Sequence, residues 1–204
     1  MKVICIGQPK TGTKTLADIF IKLKYKTNSN PICLPSEDKY ILLDNDIKYY
    51  AHDDNITVNN IIKKKLMEFD AFHDIPYSIN YKYIYDLYPD SKFILTLRNE
   101  DTWFKSLYNY QFLSGTTNKN FLYNLYGYKK ITYDNYNDII TKYNNYNNNI
   151  INFFNDKKEA LLIINLIDGN EQDKNIELEK IGKFLNKTIN FECPHINKQM
   201  YNKD

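Results

Sequence analysis

The octet Gln8-Pro9-Lys10-Thr11-Gly12-Thr13-Lys14-Thr15 gathers three hydroxyls, two lysines and a glycine between an apolar run at residues 3–6 and a segment of helical periodicity. A strand, a turn and a helix start in that order aim backbone N–H groups and the positive end of the helix dipole at one point, an arrangement that holds anions. A triphosphate loop of the Walker pattern needs lysine directly after its second glycine and a hydroxyl next for magnesium. Thr13 stands at that lysine position, and Lys14 fits only by a slip of one residue. A second apolar run, "KFILTL", ends in Arg98, where a triphosphatase strand would carry a magnesium-holding aspartate. The chemistry implied is anion binding without triphosphatase machinery.

A base for proton removal is available in "FHDIP", which offers His73 and Asp74. Successive strand residues face opposite sides, so only one of the two is expected to face a common site. An ordinary aspartate, pKa ~3.9, needs desolvation to serve an alcohol, whereas an ordinary histidine at ~6.5 is tuned already. Asp74 and His73 therefore stand as alternatives. The run His52 to Asn55 reads as solvated charge, and no metal is expected.

These residues must be carried by strands and helices of suitable length. The pattern predicts strands at 3–6, about 70–74, 92–97 and 160–166, and helices after residue 13 and over 57–68, 78–88, 101–112, 134–155 and 176–185. Leu16, Ile19, Phe20 and Leu23 give the first helix one apolar face, and Asn99 or Asp101 caps the helix after Arg98. Strands apolar throughout and separated by helices imply a parallel sheet covered on both faces, so the fold class is a three-layer α/β domain of P-loop type. Ligands in such sheets sit at the carboxyl ends of strands, where the octet, Asp74, Arg98 and Asp168 fall. Asp168 and Gly169 read as a turn, Trp103 as a packing anchor, and the aromatics Tyr108, Tyr110, Phe112, Phe121, Tyr123 and Tyr126 as the core of a cap.

Composition limits the partners. The 204 residues suit one domain, residues 1–204, and a net charge of +2 from 27 basic and 25 acidic residues gives no reason to expect nucleic acid. Cys5, Cys33 and Cys193 are odd in number and lack metal spacing, which favours a reducing compartment. The first strand starts too early for a signal peptide and no run is long enough to span a bilayer, so a soluble, cytoplasmic protein without membrane attachment is expected.

The motifs also resemble those of a known family. "GQPKTGTKTL" is similar to the 5′-phosphosulfate loop of the P-loop sulfotransferases, and "LRNEDTWFKSL" to their 3′-phosphate motif, an Arg at a strand end with Ser eight residues on, met by Arg98 and Ser106. Asp-x-Pro at Asp74, "YPDSK", Arg98-x-x-x-x-Trp103 and "PHIN" near the end resemble a small soluble subgroup of that family. The resemblance implies transfer of the sulfuryl group of 3′-phosphoadenosine 5′-phosphosulfate (PAPS) to a hydroxyl of a small molecule, carbohydrate or protein. It implies that Lys10, Thr11, Gly12, Thr13, Lys14 and Thr15 hold the 5′-phosphosulfate, Arg98 and Ser106 the 3′-phosphate, and that Lys10 with Asp74 or His73 is catalytic. A variable helical region at about 108–158 would cover the acceptor side. A non-catalytic binder of adenosine bisphosphate and a P-loop kinase are the other readings. Neither the acceptor nor the oligomeric state is written in the sequence.

Overall fold

Val3, Ile4, Cys5 and Ile6 are all fully buried, so the strand they form must be covered on both faces and flanked on both edges. A computed structural model of the chain describes residues 1–28, 39–43, 46–50, 58–113 and 125–194. In chain order its elements are β1 (Val3–Cys5), α1 (Thr13–Lys22), β2 (Thr27–Asn28), β3 (Lys39–Leu43), β4 (Asp46–Tyr50), α2 (Val58–Glu68) and β5 (Ala71–Phe72). Then follow α3 (Tyr81–Leu87), β6 (Lys92–Thr96), α4 (Glu100–Leu113), α5 (Tyr136–Phe153), β7 (Leu161–Ile164) and α6 (Glu171–Leu185). Cys33, His52 to Asn55, Phe121, Tyr123, His195 and Asn197 lie outside the described residues.

The main sheet runs β2-β5-β1-β6-β7 with every pairing parallel, Val3 opposite Ala71 on one side and Lys92 on the other. Strand alternation divides the core in two. Val3, Cys5 and Ile94 pack with Leu16, Ile19 and Phe20 of α1 and Leu178, Ile181 and Leu185 of α6. Ile4, Ile6, Phe93 and Leu95 pack on the opposite face with Ile62 and Leu66 of α2, Ile84 of α3 and Ile150 of α5. Each such buried side chain contributes about 1.5–3 kcal/mol. Burial pushes the Cys5 thiol up to about 12, so it is a packing group rather than a nucleophile. The three-layer α/β reading thus holds, with a third cluster of Trp103, Phe104, Leu107, Tyr126, Ile139 and Tyr143 between α4 and α5.

Local chemistry explains where the sequence reading of the elements shifts. Helix α6 begins at Glu171, five residues before the periodic apolar pattern, because Asn170 and Asp173 form a capping box. Helix α3 is shorter than expected. Residues 75–80 turn instead, with Asn80 donating its side-chain amide to the Pro76 carbonyl. The two-residue edge strand β2 carries too little pattern to read, and the antiparallel hairpin β3–β4 stands apart from the main sheet without a glycine turn to announce it.

The order of strands creates the site. From β1 the chain reaches β2 and β5 on one side, then crosses to β6 and β7 on the other, so the sheet's switch point lies at the carboxyl end of β1. The loop after β1 is flanked there by the ends of β5 and β6, which lead into His73-Asp74 and Arg98.

Candidate active site

The loop between β1 and α1 is closed from inside. Thr11 is fully buried; its hydroxyl donates to the Gln8 carbonyl at 2.6 Å and lies 2.6 Å from Thr96 Oγ1. Thr11 thus spends its side chain on loop shape, while Thr13 and Thr15 sit buried in the first turn of α1 and Lys14 is exposed. Gly7 is required for this closure, because a Cβ there would lie 1.8 Å from Thr96 Oγ1 and 2.7 Å from the Thr96 carbonyl oxygen. Gly12, with φ 101°, is the N-cap of α1 and makes no side-chain cap. A Cβ on Gly12 would press to 3.1 Å from Ile167 in a conformation L-residues rarely adopt.

Helix starts differ in what they offer an anion. The first turn of α1 has no acidic residue and no capping side chain, so its N–H groups and dipole are directed at whatever fills the crevice. Helix α4 is closed: Asn99 Oδ1 accepts from the N–H groups of Asp101 (3.1 Å) and Thr102 (3.3 Å), and Glu100 and Asp101 complement its dipole. Asn99 is therefore the cap, and an anion near α4 depends on Arg98 rather than on the helix end.

Among the described residues four non-glycine residues have positive φ: Lys10 (74°), Lys24 (63°), Asp74 (62°) and Asn186 (53°). Asn186 is the C-cap of α6 and Lys24 follows the C-cap of α1, so both are helix stops. Lys10 and Asp74 end no helix. Left-handed backbone costs an ordinary residue roughly 1–3 kcal/mol and gathers at functional sites. Here it falls on the two residues that the motifs single out at neighbouring strand ends.

His73 and Asp74 do not part to opposite sides as strand alternation leads one to expect. Strand β5 stops at Phe72, Asp74 takes the left-handed conformation, and His73 Nδ1 lies 3.0 Å from Asp74 Oδ2. His73 is buried and Asp74 partly exposed. Burial pushes the Asp74 carboxyl up, but the His73 hydrogen bond and charge, the Thr13 hydroxyl and the Lys14 charge outweigh it, and the pKa is lowered. Asp74 thus faces the first turn of α1 as an ionised carboxylate. Desolvation alone does not make it a stronger base in this state.

Arg98 is carried against the loop from the other flank. Its Nη1 donates to the Lys10 carbonyl at 3.2 Å and its Nε to Thr102 Oγ1 at 3.1 Å, and Asp168 Oδ1 lies 3.8 Å from Nε. Its peptide is clamped by Tyr143, whose hydroxyl accepts from Arg98 N and donates to Arg98 O, both at 3.0 Å. Ser106 is buried further along α4. Trp103, fully buried and stacked 4.1 Å from the Tyr143 ring, donates its indole N–H to the Pro9 carbonyl at 3.0 Å. It packs as expected and also ties α4 to the loop. The Lys10 ammonium lies 4.6 Å from the centroid of the Tyr110 ring. Of the other cap aromatics Tyr126 is core, Tyr108 is partly buried and Phe112 is exposed.

Asp168 does more than turn the chain. Its carboxylate accepts from Asn99 N (2.6 Å), Thr102 Oγ1 (2.9 Å) and Asn165 Nδ2 (2.9 Å), joining the loop after β7 to the Arg98 loop. Burial raises its pKa, but these hydrogen bonds and the Arg98 charge outweigh it, leaving it lowered. A lowered native pKa gives stability that is complete above the unfolded value of 3.8 and fades as pH falls through the native value. Asp168→Asn should therefore cost about 1–3 kcal/mol at pH 7. In thermal unfolding the gap from wild type should narrow at about pH 3; a gap independent of pH would show that the charge is not what stabilises. The signal for Asp168 in sequence was its place just past a strand, which a turn explains equally well.

The Lys10 loop, Asp74 and Arg98 thus meet at one switch point, with N–H donors, a carboxylate and a guanidinium around it. A model of the sulfotransferase domain matches residues 2–201. No curated protein matches the chain. The family model spans nearly the whole chain and agrees with the five-stranded parallel sheet, and the chain belongs to the sulfotransferase domain family.

Proposed function

We propose that PAPS lies across the switch point, its 5′-phosphosulfate in the loop of residues 10–15 and its 3′-phosphate on Arg98 and Ser106. The family's reaction is PAPS-dependent sulfuryl transfer to a hydroxyl, so the chain is a transferase. Two separated phosphates require two anion sites, and the pairing of the uncapped α1 N-terminus with Arg98 is what supports this pose. In the transfer the acceptor oxygen bonds to sulfur, the bond from sulfur to the 5′-phosphate oxygen breaks, and the acceptor proton passes to Asp74. Lys10 neutralises charge growing on the departing phosphate oxygen, a role worth roughly 3–4 kcal/mol where such donors have been removed from acyl-transfer enzymes.

Asp74 is tuned by the donor itself. The negative phosphosulfate arriving beside Asp74 disfavours its ionised form and raises its pKa toward the range useful for a base. His73, buried beneath it and donating from Nδ1, holds the carboxylate in place.

The fold is read as one domain, with residues of about 108–158 forming the acceptor side. Among the described residues no helix is long and apolar enough to cross a membrane. A cytoplasmic setting is the reading that buried free thiols at Cys5 and Cys193 favour.

Calorimetry separates this reading from nucleotide phosphorylation. Adenosine 3′,5′-bisphosphate should bind without metal at least tenfold more tightly than ATP with magnesium, and sulfur-labelled PAPS should then transfer label to a hydroxylated acceptor. ATP binding more tightly, and only with magnesium, would overturn the donor assignment.

A further inference from the structure

A cavity of about 230 Å³ lies beside the loop after β1, walled by Gln8 and Pro9 of that loop, by Ile75, Ser78 and Ile79 after Asp74, by Leu125 and Tyr126, and by α5. Pro9 precedes Lys10 and Ile75 follows Asp74, so the chain neighbours of both groups placed on the sulfuryl path stand on the cavity wall. We propose that this cavity takes the acceptor, and that the acceptor is a compact neutral phenol or cyclic alcohol of one ring. The proposal rests on the sulfotransferase reading above for the reaction, and on the cavity alone for the class of acceptor.

Size sets the first limit. An apolar cavity of about 150 Å³ admits benzene, whereas drug-sized ligands occupy about 300 Å³ or more. The volume here accommodates one substituted ring and excludes an oligosaccharide or a folded peptide segment.

Charge sets the second. Among the described residues the one charged side chain on the wall is Lys142, whose ammonium lies 2.7 Å from Asp138 Oδ2 and donates to the Tyr126 carbonyl at 2.8 Å. Lys142 also lowers the pKa of Asp138, which keeps that carboxylate ionised and paired with the ammonium. Among the described residues no carboxylate lines the cavity to receive an amine. A charged acceptor would lose hydration there without an opposite charge of its own.

Polarity sets the third. The Tyr146 hydroxyl lies 2.8 Å from the carbonyl oxygens of both Ile6 and Ser78, and the Tyr126 hydroxyl donates to Gln8 Oε1 at 2.9 Å. Both phenols are thus committed to the protein and offer mainly ring surface, next to Ile75, Ile79 and Leu125. Asn145 and Asn149, one helical turn apart on α5, supply amides sufficient to orient one polar substituent. A hexose, which needs partners for every hydroxyl, would leave several unpaired.

The test is direct binding, with turnover measured separately. Phenol, 4-methylphenol and cyclohexanol, against glucose, glucuronate and tyramine, are titrated into the full chain by calorimetry, with and without saturating adenosine 3′,5′-bisphosphate. The neutral rings should bind at least tenfold more tightly than the sugar and the charged compounds. Ile79→Trp, which fills the cavity, should weaken phenol binding at least tenfold and change bisphosphate affinity less than twofold; Leu125→Trp replaces it if the first variant fails to fold. Tighter binding of glucose, glucuronate or tyramine, no binding of the rings in either condition, or ring binding that survives a filled cavity would each overturn the proposal. Ring binding that persists while the bisphosphate fails to bind would instead overturn the donor site and leave the cavity's assignment standing.

Discussion

Asp74→Asn lowers kcat by at least about 10²-fold, the scale of general base catalysis, with bisphosphate affinity undiminished and raised about tenfold for each unit by which the bound 5′-phosphate lifts the Asp74 pKa. The amide is nearly isosteric and sits in the same left-handed turn, but it takes up no proton from the acceptor. The contact between His73 Nδ1 and Asp74 Oδ2, at 3.0 Å, makes the companion variant decisive. His73→Asn places an amide N–H near the position of Nδ1 and keeps the bond to Asp74, so it should lose less than tenfold. The reverse order of losses would make His73 the base and Asp74 its support. The pH profile gives a second reading. Activity with a carboxylate base falls as pH drops through its pKa, and Asp74 is held below the usual 3.8 in the donor-free protein. The acidic limb of kcat/KM for PAPS should therefore lie below about pH 4, and that of kcat should lie higher because the bound donor raises the carboxylate pKa. A histidine base ordinarily puts that limb near pH ~6.5.

The parts of this site that were legible in sequence are those fixed by local pattern. An apolar run too short for a helix, a turn with Gly12, and Leu16, Ile19 and Phe20 at helical spacing are each local, and β1, the loop and α1 fall where these place them. The same holds for β6 and its Arg98. What the sequence leaves hidden is held together across long separations. Thr11 meets Thr96, Trp103 reaches Pro9, Tyr126 bonds Gln8, and Asp168 braces Asn99. None of these pairs has a spacing that a periodicity could reveal. The contact between His73 and Asp74 stays hidden for a related reason. Alternation governs residues only while the strand continues, and β5 pairs through Phe72 and no further. Gly7 illustrates the limit from another side, since the approach of Thr96 and Thr11 to where its Cβ would stand explains why no side chain fits there.

Arg98→Ala should weaken adenosine 3′,5′-bisphosphate binding by about 10²-fold or more, consistent with the 2–5 kcal/mol lost when one partner of a desolvated, hydrogen-bonded charge pair is removed. Arg98→Lys should recover little of it, because an ammonium keeps the charge but lacks the planar fork that grips a phosphate and, here, also reaches the Lys10 carbonyl. The variant has two effects to separate: loss of a phosphate ligand, and loosening of the loop through that carbonyl contact. Adenosine 5′-phosphate, which lacks the 3′ group, divides them. If Arg98 binds the 3′-phosphate, its removal weakens the bisphosphate far more than the monophosphate, and the difference between the two losses is the coupling between guanidinium and 3′-phosphate. Equal losses would make Arg98 only a brace for the loop. The fold should tolerate the change, because Asp168 keeps its hydrogen bonds from Asn99 N, Thr102 and Asn165 when the guanidinium is gone. A small loss of stability beside a large, 3′-phosphate-dependent loss of affinity is what distinguishes a donor ligand from a structural arginine.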